Sequence, residues 1–198
     1  MWKRFLAMLA CAPLFSGCAT MTPTDFAQGT PRLVLEDYFS GHTKAWGLFE
    51  DRFGKIRRQF TVDIEGTRRD DALILHEVFL YSDGEREERT WTVRRVAPDR
   101  YEGTAGDVIG TARGVASGNA FNWAYRMDLK VGDGRLRVSF DDWMFLQPGG
   151  VMLNRAHVSK WGVEIGSVSI FFRKGDGDAG QPPGATPVGD AGGRSASN

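Results

Sequence analysis

The chain has 198 residues, with 25 Lys plus Arg against 25 Asp plus Glu, and therefore no formal net charge. Overall charge does not attract such a chain to nucleic acid or to anionic lipid, so we expect no nucleic-acid partner. Both cysteines, Cys11 and Cys18, lie at the amino end. The rest of the chain can therefore form no disulfide, cysteine nucleophile or thiolate metal site.

The amino end has the pattern of a secretory signal. Two basic residues precede an apolar segment, residues 5–15, which is too short to span a bilayer but has the length of a signal-peptide core. Two small residues come directly before Cys18, and "LFSGC" resembles a bacterial lipobox, although Phe15 stands where such boxes usually carry Leu. We predict a signal peptide at residues 1–17 and acylation of Cys18.

Two other interpretations of the amino end stay open: an ordinary secretory signal cut near Ala19, and an amphipathic start that is not cleaved. Several acyl chains on one residue would hold the protein on a membrane far more firmly than a single chain does. By resemblance to Gram-negative lipoproteins, an acidic residue after the cysteine would indicate retention at the inner membrane, and Ala19 is not acidic. We therefore predict the periplasmic face of the outer membrane.

Composition divides the rest of the chain into three parts. Residues 18–30 are small and polar after the cysteine, which predicts a flexible tether. Residues 175–198 are rich in Gly, Pro, Asp and Ser and contain no aromatic residue, so they cannot bury enough apolar surface to become ordered. The folded domain is predicted at residues 31–174.

The domain has the pattern of an all-β protein. A short helix is predicted at Pro31 to Phe39, and then apolar residues alternate with polar ones between turn signals about every 10 residues. This pattern predicts an antiparallel up-and-down barrel of about 8–10 strands. The run "GDVIGTARGVASG", residues 106–118, is unusually small, and its spaced glycines predict a strand that bends sharply or lies close to another backbone.

Two hairpins can be given a register. Ser82-Asp83-Gly84 predicts a three-residue loop that pairs Leu73 with Val93, Leu75 with Trp91 and Glu77 with Arg89. Asp133-Gly134 predicts a two-residue turn that pairs residue 125 with 142 and residue 123 with 144, so that Tyr125 faces Asp142 on the buried side. Both hairpins therefore place polar groups among apolar neighbours.

Seven stretches of the domain have a specific order and spacing: "DRFG" (51–54), "HEVFLYSDG" (76–84), "RTWTV" (89–93), "YEGTAGDVIGTARG" (101–114), "GNAFNWAY" (118–125), "FDDWMFL" (140–146) and "NRAHVSKWG" (154–162). Together they resemble a family of bacterial lipoproteins catalogued as domain of unknown function 3833. The resemblance implies an outer-membrane lipoprotein, sometimes encoded near lipid-modifying enzymes such as cyclopropane fatty acid synthases. It implies no activity and no catalytic residue.

A weaker likeness, at the level of fold, is to lipocalins and other calycins, which have an amino-terminal helical turn and a barrel around an apolar cavity. Lipocalins open their first strand with Gly-X-Trp, whereas this chain has "AWG" at residues 45–47. The likeness therefore concerns shape and gives no function.

Motifs for metal or nucleophilic chemistry are not found. The three histidines, His42, His76 and His157, lie on distant segments and are predicted to be surface residues rather than metal ligands. No Gly-X-Ser-X-Gly motif occurs, so hydrolase chemistry is unsupported. We predict no metal and no cofactor.

The best candidate site is a polar floor inside an apolar pocket. Arg89 beside Glu77 could meet a lipid carboxylate or phosphate while aromatic faces hold the apolar chain. The alternative is that these are satisfied core pairs, which hold the register of the strands at some desolvation cost. The candidate ligand-binding residues are Glu77, Arg89, Trp91, Trp123, Tyr125, Asp142, Met144 and, as a third partner of Asp142, Arg155.

Three functions follow from these features. The first is a membrane-anchored, non-enzymatic barrel that binds or transfers a fatty acyl chain or phospholipid. The second is a structural accessory of the envelope with a filled core and a protein partner. The third is an unrecognised lipid-modifying enzyme that uses Glu77 or Asp142 as a base. Aromatic residues form 12% of the chain, and whether they fill the barrel or line a cavity separates the first function from the second.

Overall fold

The structure is a computed structural model and describes residues 20–131 and 134–175. The predicted signal peptide, Cys18 and residues 176–198 of the predicted tail lie outside the described residues. So do Gly132 and Asp133, at the predicted turn of the second hairpin.

The described chain contains one α-helix and ten strands. Helix α1 is Leu35–Phe39, and 3-10 helices lie at Pro23–Phe26 and Pro148–Gly150. The strands are β1 Gly41–Asp51, β2 Ile56–Arg69, β3 Ala72–Tyr81, β4 Arg86–Ala97, β5 Arg100–Thr104, β6 Ala112–Ser117, β7 Ala120–Val131, β8 Gly134–Leu146, β9 Val151–Lys160 and β10 Val163–Lys174. Between residues 20 and 175, leaving out 132 and 133, no helix has the length and apolar character needed to cross a membrane.

Each strand pairs with the next one in antiparallel fashion, and β10 pairs with β1. The sheet is therefore a closed up-and-down barrel, which confirms the predicted fold class and strand number. Closure removes the unpaired edges that an open sheet would present, so the alternating pattern along each strand separates an interior from an outer surface.

The predicted register of the β3–β4 hairpin is confirmed. Leu73 lies opposite Val93, Leu75 opposite Trp91 and Glu77 opposite Arg89. The loop works as predicted because Gly84 has a φ of +86°, a conformation that is cheap only for glycine.

The predicted register of the β7–β8 hairpin is wrong by two residues. Tyr125 lies opposite Phe140, and Asp142 lies opposite Trp123. Val131 of β7 pairs with Gly134 of β8, whereas the prediction placed Gly134 in the turn. In the sequence, the dipeptides Gly132-Asp133 and Asp133-Gly134 both tolerate positive φ, and turn chemistry alone does not separate them. A shift of two residues leaves every side chain on its predicted face.

The short predicted helix is confirmed, although it begins at residue 35 rather than 31. It covers one end of the barrel with Leu35, Tyr38 and Phe39, all buried. The main chain of α1 lies so close to β2 that a Cβ at Gly66 would collide with the carbonyl oxygen of Phe39. We call this end of the barrel the closed end.

The glycine-rich run differs in part from its prediction as one strand. Residues 105–111 form a loop that touches β7 through an isolated bridge between Val108 and Met127, and β6 begins only at Ala112. At Gly114 the close approach is by side chains rather than by another backbone, because a Cβ would collide with the rings of Phe121 and Trp123.

The segment before the barrel is ordered, whereas the sequence predicted a flexible tether. The ring of Phe26 lies 5.0 Å from that of Phe145 and 6.0 Å from that of Trp143, on the outer surface of β8. Gly29 N–H also donates to the carbonyl of Phe26 at 2.8 Å. Aromatic packing therefore fixes residues 23–29 against the barrel.

Candidate functional site

The interior of the barrel changes from packed to accessible along its axis. Near the closed end, the inward side chains of Ile64, Leu73 and Phe121 are at most 2% exposed. Toward the other end, Met127, Val138 and Val158 are also at most 2% exposed. Several other inward side chains there are only half-buried: Phe60, Phe79, Tyr125, Phe140 and Ile170. We call this end the open end, because in residues 20–131 and 134–175 no helix covers it. The barrel therefore combines a solvent-excluded core with a half whose inward side chains are partly exposed, which we call the accessible half.

Three charged side chains meet in the accessible half. Arg89 of β4 forms an ion pair with Asp107, with 2.8 Å between Nη2 and Oδ2, and its Nε also donates to Asp107 at 2.9 Å. Glu77 of β3 lies further away, with 3.7 Å between its Oε2 and Nη1 of Arg89. The Glu77 and Arg89 side chains are 14% and 18% exposed, so they face the accessible space without being bathed in solvent.

Asp107 was missed by the sequence analysis. It lies in the loop between β5 and β6, whose main chain is fixed to β7 because Asp128 N–H donates to the carbonyl of Asp107 at 3.0 Å. The sequence feature that could have indicated Asp107 is an isolated carboxylate within a run of small residues. Nothing in local periodicity shows that this loop delivers its side chain to a neighbouring interior arginine.

The electrostatics of the cluster follow from burial and pairing. Burial alone would lower the pKa of Arg89, but the carboxylates of Glu77 and Asp107 outweigh it and raise that pKa, so the guanidinium stays charged. Burial raises the pKa of Glu77 to about 7, against the opposing effects of Arg89 and a hydrogen bond from Trp91. Asp107 thus neutralises Arg89 while Glu77 titrates near neutral pH.

A second buried carboxyl belongs to Asp142 of β8, which is 6% exposed. Burial raises its pKa to about 7, and hydrogen bonding to Tyr125 and Asn154 opposes the rise. Burial, followed by the nearby charge of Asp142, in turn raises the pKa of Tyr125 well above its usual value. The predicted proximity of Tyr125 and Asp142 is present despite the shifted register, since diagonal neighbours on one face remain within reach.

Aromatic rings form the layer below these charges. Trp91 and Trp123 lie edge to face with ring centres 5.7 Å apart, and Trp91 lies 5.4 Å from Tyr125. Met144, half-buried, faces the same interior. The structure thus gathers seven of the eight candidate residues on the inner surface.

Arg155 is the exception, and the prediction that it could partner Asp142 is wrong. Its side chain is exposed, and the inward residues of β9 are Met152, Asn154, Ala156 and Val158. Apolar residues occur on both faces of β9, so its alternation did not identify the inner one. Asn154 takes the place beside Asp142 that the sequence analysis gave to Arg155.

The remaining tryptophans do not fill the barrel. Trp46 and Trp161 are 40% and 92% exposed, while Trp143 lies under Phe26 on the outer surface. Much of the aromatic bulk that could have closed the interior is therefore outside it.

The histidines lie on the outer surface, as predicted, each near a carboxylate. The ring nitrogens lie 3.3 Å from Asp63 for His42, 3.7 Å from Glu88 for His76 and 3.1 Å from Glu164 for His157. Among residues 20–131 and 134–175, no group of three or more His, Cys, Asp or Glu is arranged to hold a metal ion.

Fold and site together define a small up-and-down β-barrel protein with a packed closed end and an accessible, polar-lined interior. The chain belongs to the family described as Protein of unknown function (DUF3833), whose model matches residues 12–174. This confirms the family resemblance seen in the sequence.

Two further comparisons add little about function. The solved structure of an S-type phycobiliprotein lyase from Guillardia theta has a TM-score of 0.49 and 5% identity, covering 69% of this chain and 87% of that chain. A likeness at this level supports no inference about ligand or activity. No curated protein sequence matched the chain.

The raised carboxyl pKa values predict an unusual dependence of stability on pH. The folded-state pKa of about 7 for Glu77 and Asp142 exceeds the ordinary values of 4.5 and 3.8, so the folded protein holds these protons more tightly than the unfolded chain does. Each contribution is complete below about pH 4 and is lost as pH rises through about 7. The free energy of unfolding should fall by roughly 3 kcal/mol per carboxyl over this range.

Urea unfolding of the wild type and of Asp142→Asn, at several pH values, measures this effect. The difference between the two proteins should change with pH, because the amide does not titrate, whereas charged groups on the surface affect both equally. A difference that stays constant from about pH 4 to about pH 8 would contradict the assigned pKa.

Proposed function

We propose that this protein is a membrane-anchored carrier that binds an apolar ligand with an acyl chain in the accessible half of its barrel. The observation that supports this most strongly is the set of half-buried inward side chains, Phe60, Phe79, Tyr125, Phe140 and Ile170, above a fully packed closed end. Apolar walls with a few convergent polar groups are the usual composition of small-molecule sites.

The charged side chains in the accessible half restrict the kind of polar group that the ligand can carry at its end. Asp107 lies 2.8 Å from Nη2 and 2.9 Å from Nε of Arg89, so its carboxylate already offsets the positive charge that would attract a lipid carboxylate or phosphate. Glu77 and Asp142 add no positive charge, so an anionic head group would meet a neutral or negative floor. We therefore propose an acyl ligand whose polar end is uncharged, such as an ester, an alcohol or a protonated acid.

The membrane attachment in this proposal comes from the amino end. An apolar segment followed by Ser16, Gly17 and Cys18 supports cleavage before the cysteine and acylation of its thiol. Ala19 and the family resemblance support the periplasmic face of the outer membrane. A permanent anchor would keep a carrier next to the source of its ligand.

Native mass spectrometry of the full chain extracted from its own membranes tests the ligand. The wild type should carry a co-purifying lipid, and Ile170→Trp should lose it, because a larger ring would occupy the accessible space. Ser169→Trp is the matched control, since the neighbouring residue faces outward on the same strand. It should retain the lipid.

A wild type without bound lipid, or equal occupancy in the two variants, would count against a carrier. Far-ultraviolet circular dichroism of both variants confirms that the barrel is present, so that loss of lipid is not loss of fold.

Metabolic labelling with palmitate in a Gram-negative host tests the anchor separately. The wild type should incorporate label and fractionate with the outer membrane, whereas Cys18→Ser should incorporate none, because the thiol is the acylated group. Cys11→Ser is the control and should label normally. Label in Cys18→Ser, or none in the wild type, would refute the anchor whatever the ligand experiment shows.

A further inference from the structure

One side of the barrel carries most of the exposed large hydrophobic side chains. Ten such side chains occur in the described chain, and seven belong to β1, β9 or β10 or to the β1–β2 and β9–β10 hairpin ends. We call this surface the apolar wall. Its exposed hydrophobic residues are Trp46, Phe53, Ile56, Leu153, Trp161, Val163 and Phe171.

A continuous stripe crosses the middle of the apolar wall. Trp46 of β1 lies opposite Phe171 of β10, which lies opposite Leu153 of β9, which lies opposite Phe145 of β8. The first three are 40%, 56% and 36% exposed. The solvent-facing side of an antiparallel sheet normally carries polar residues. Four apolar neighbours in direct register on that side therefore indicate a binding surface.

Two aromatic hairpin ends extend the apolar wall at the open end of the barrel. Phe53 is 81% exposed in the β1–β2 hairpin, and Trp161 is 92% exposed in the β9–β10 hairpin. The hairpins are joined there, because Arg52 N–H donates to the carbonyl of Ile165 at 3.0 Å. The two hairpin ends that carry these rings are therefore neighbours at the open end.

The backbone conformation of Trp161 is unfavourable in free energy, and its neighbours do not explain why a tryptophan is kept there. Trp161 and Gly162 form the two-residue end of the hairpin with φ values of +53° and +79°. Such turns favour Asn, Asp or Gly at both positions, and a bulky residue with positive φ is strained. Strain of this kind is retained at functional positions, and here it holds an indole ring in solvent.

The charges on the apolar wall identify its occupant. Lys160 Nζ lies 4.4 Å from the centre of the Trp161 ring, and the Arg52 guanidinium lies 4.8 Å from that of Phe53. Arg155 and Arg173 are exposed among the apolar residues of β9 and β10. Aromatic rings flanked by Lys and Arg match the boundary between acyl chains and anionic head groups. We infer that the apolar wall lies on the surface of an anionic phospholipid bilayer.

The amino-terminal segment borders the apolar wall. The Phe26 ring packs on Phe145 at the edge of the stripe, and the 3-10 helix that contains Phe26 also contacts β6 and β7. The inference rests on the proposed function for the anchor, since acylated Cys18 would bring this side of the barrel to the bilayer. The barrel then lies on its side, and the two aromatic hairpin ends place one rim of the open end in the membrane.

Tryptophan quenching by brominated lipids tests the inference with the full chain. The protein is incorporated in vesicles of phosphatidylethanolamine and phosphatidylglycerol, with or without bromine on the acyl chains. Quenching by brominated lipid should decrease in Trp46→Phe and in Trp161→Phe, because those rings lie in the bilayer boundary. The matched reporter is Val96→Trp in the Trp46→Phe protein, since Val96 is 55% exposed on β4, away from the apolar wall. That indole should not be quenched.

The outcomes separate the apolar wall from the anchor. Wild-type protein that floats with vesicles, while neither Trp46→Phe nor Trp161→Phe changes the quenching, would leave the anchor standing and overturn the inference. Quenching of the indole introduced by Val96→Trp as strongly as that of Trp46 would also overturn it, because the barrel would then have no preferred face. Loss of flotation in Cys18→Ser concerns the anchor alone.

Discussion

A guanidinium placed inside an apolar barrel is costly unless its charge is compensated, and in this protein Asp107 supplies most of that compensation. The need to compensate this charge constrains more of the structure than a single side chain. It draws the loop of residues 105–111 across β7, where Asp107 and Ile109 make main-chain hydrogen bonds at 3.0 and 2.8 Å. It also keeps Glu77 beside Arg89 and prevents the accessible half of the barrel from being filled by apolar side chains alone.

The half-buried inward side chains support the proposed carrier over the filled-core accessory, the other non-enzymatic function that the sequence left open. A filled-core accessory needs no accessible space, yet inward residues such as Phe60 and Phe79 stay half-buried while the closed end excludes solvent. A carrier needs both properties. The apolar wall adds a proposed orientation, because Phe26, in the segment that follows the predicted anchor, packs on Phe145 at the edge of the stripe that includes Phe171 and Trp46.

The parts of the fold that the sequence predicted depend on local rules. Alternation and turn residues were enough for a closed up-and-down barrel and for the pairing of Glu77 with Arg89, because a glycine fixes that loop. The β7–β8 register failed locally, because two overlapping dipeptides suit a turn equally well. The other failures depend on distant contacts. Asp107 reaches Arg89 through a loop, and Arg155 was misplaced because β9 is apolar on both faces, so only its packing in the barrel selects Asn154 for the interior.

The coupling between Arg89 and Asp107 tests the central claim most directly. Arg89→Met should lower the free energy of unfolding by about 3 kcal/mol, because it leaves a carboxylate without its partner. The same change in an Asp107→Asn background should cost roughly 1 kcal/mol, which gives a coupling of about 2 kcal/mol in a double-mutant cycle. Equal costs in the two backgrounds would show that the pair does not organise the interior.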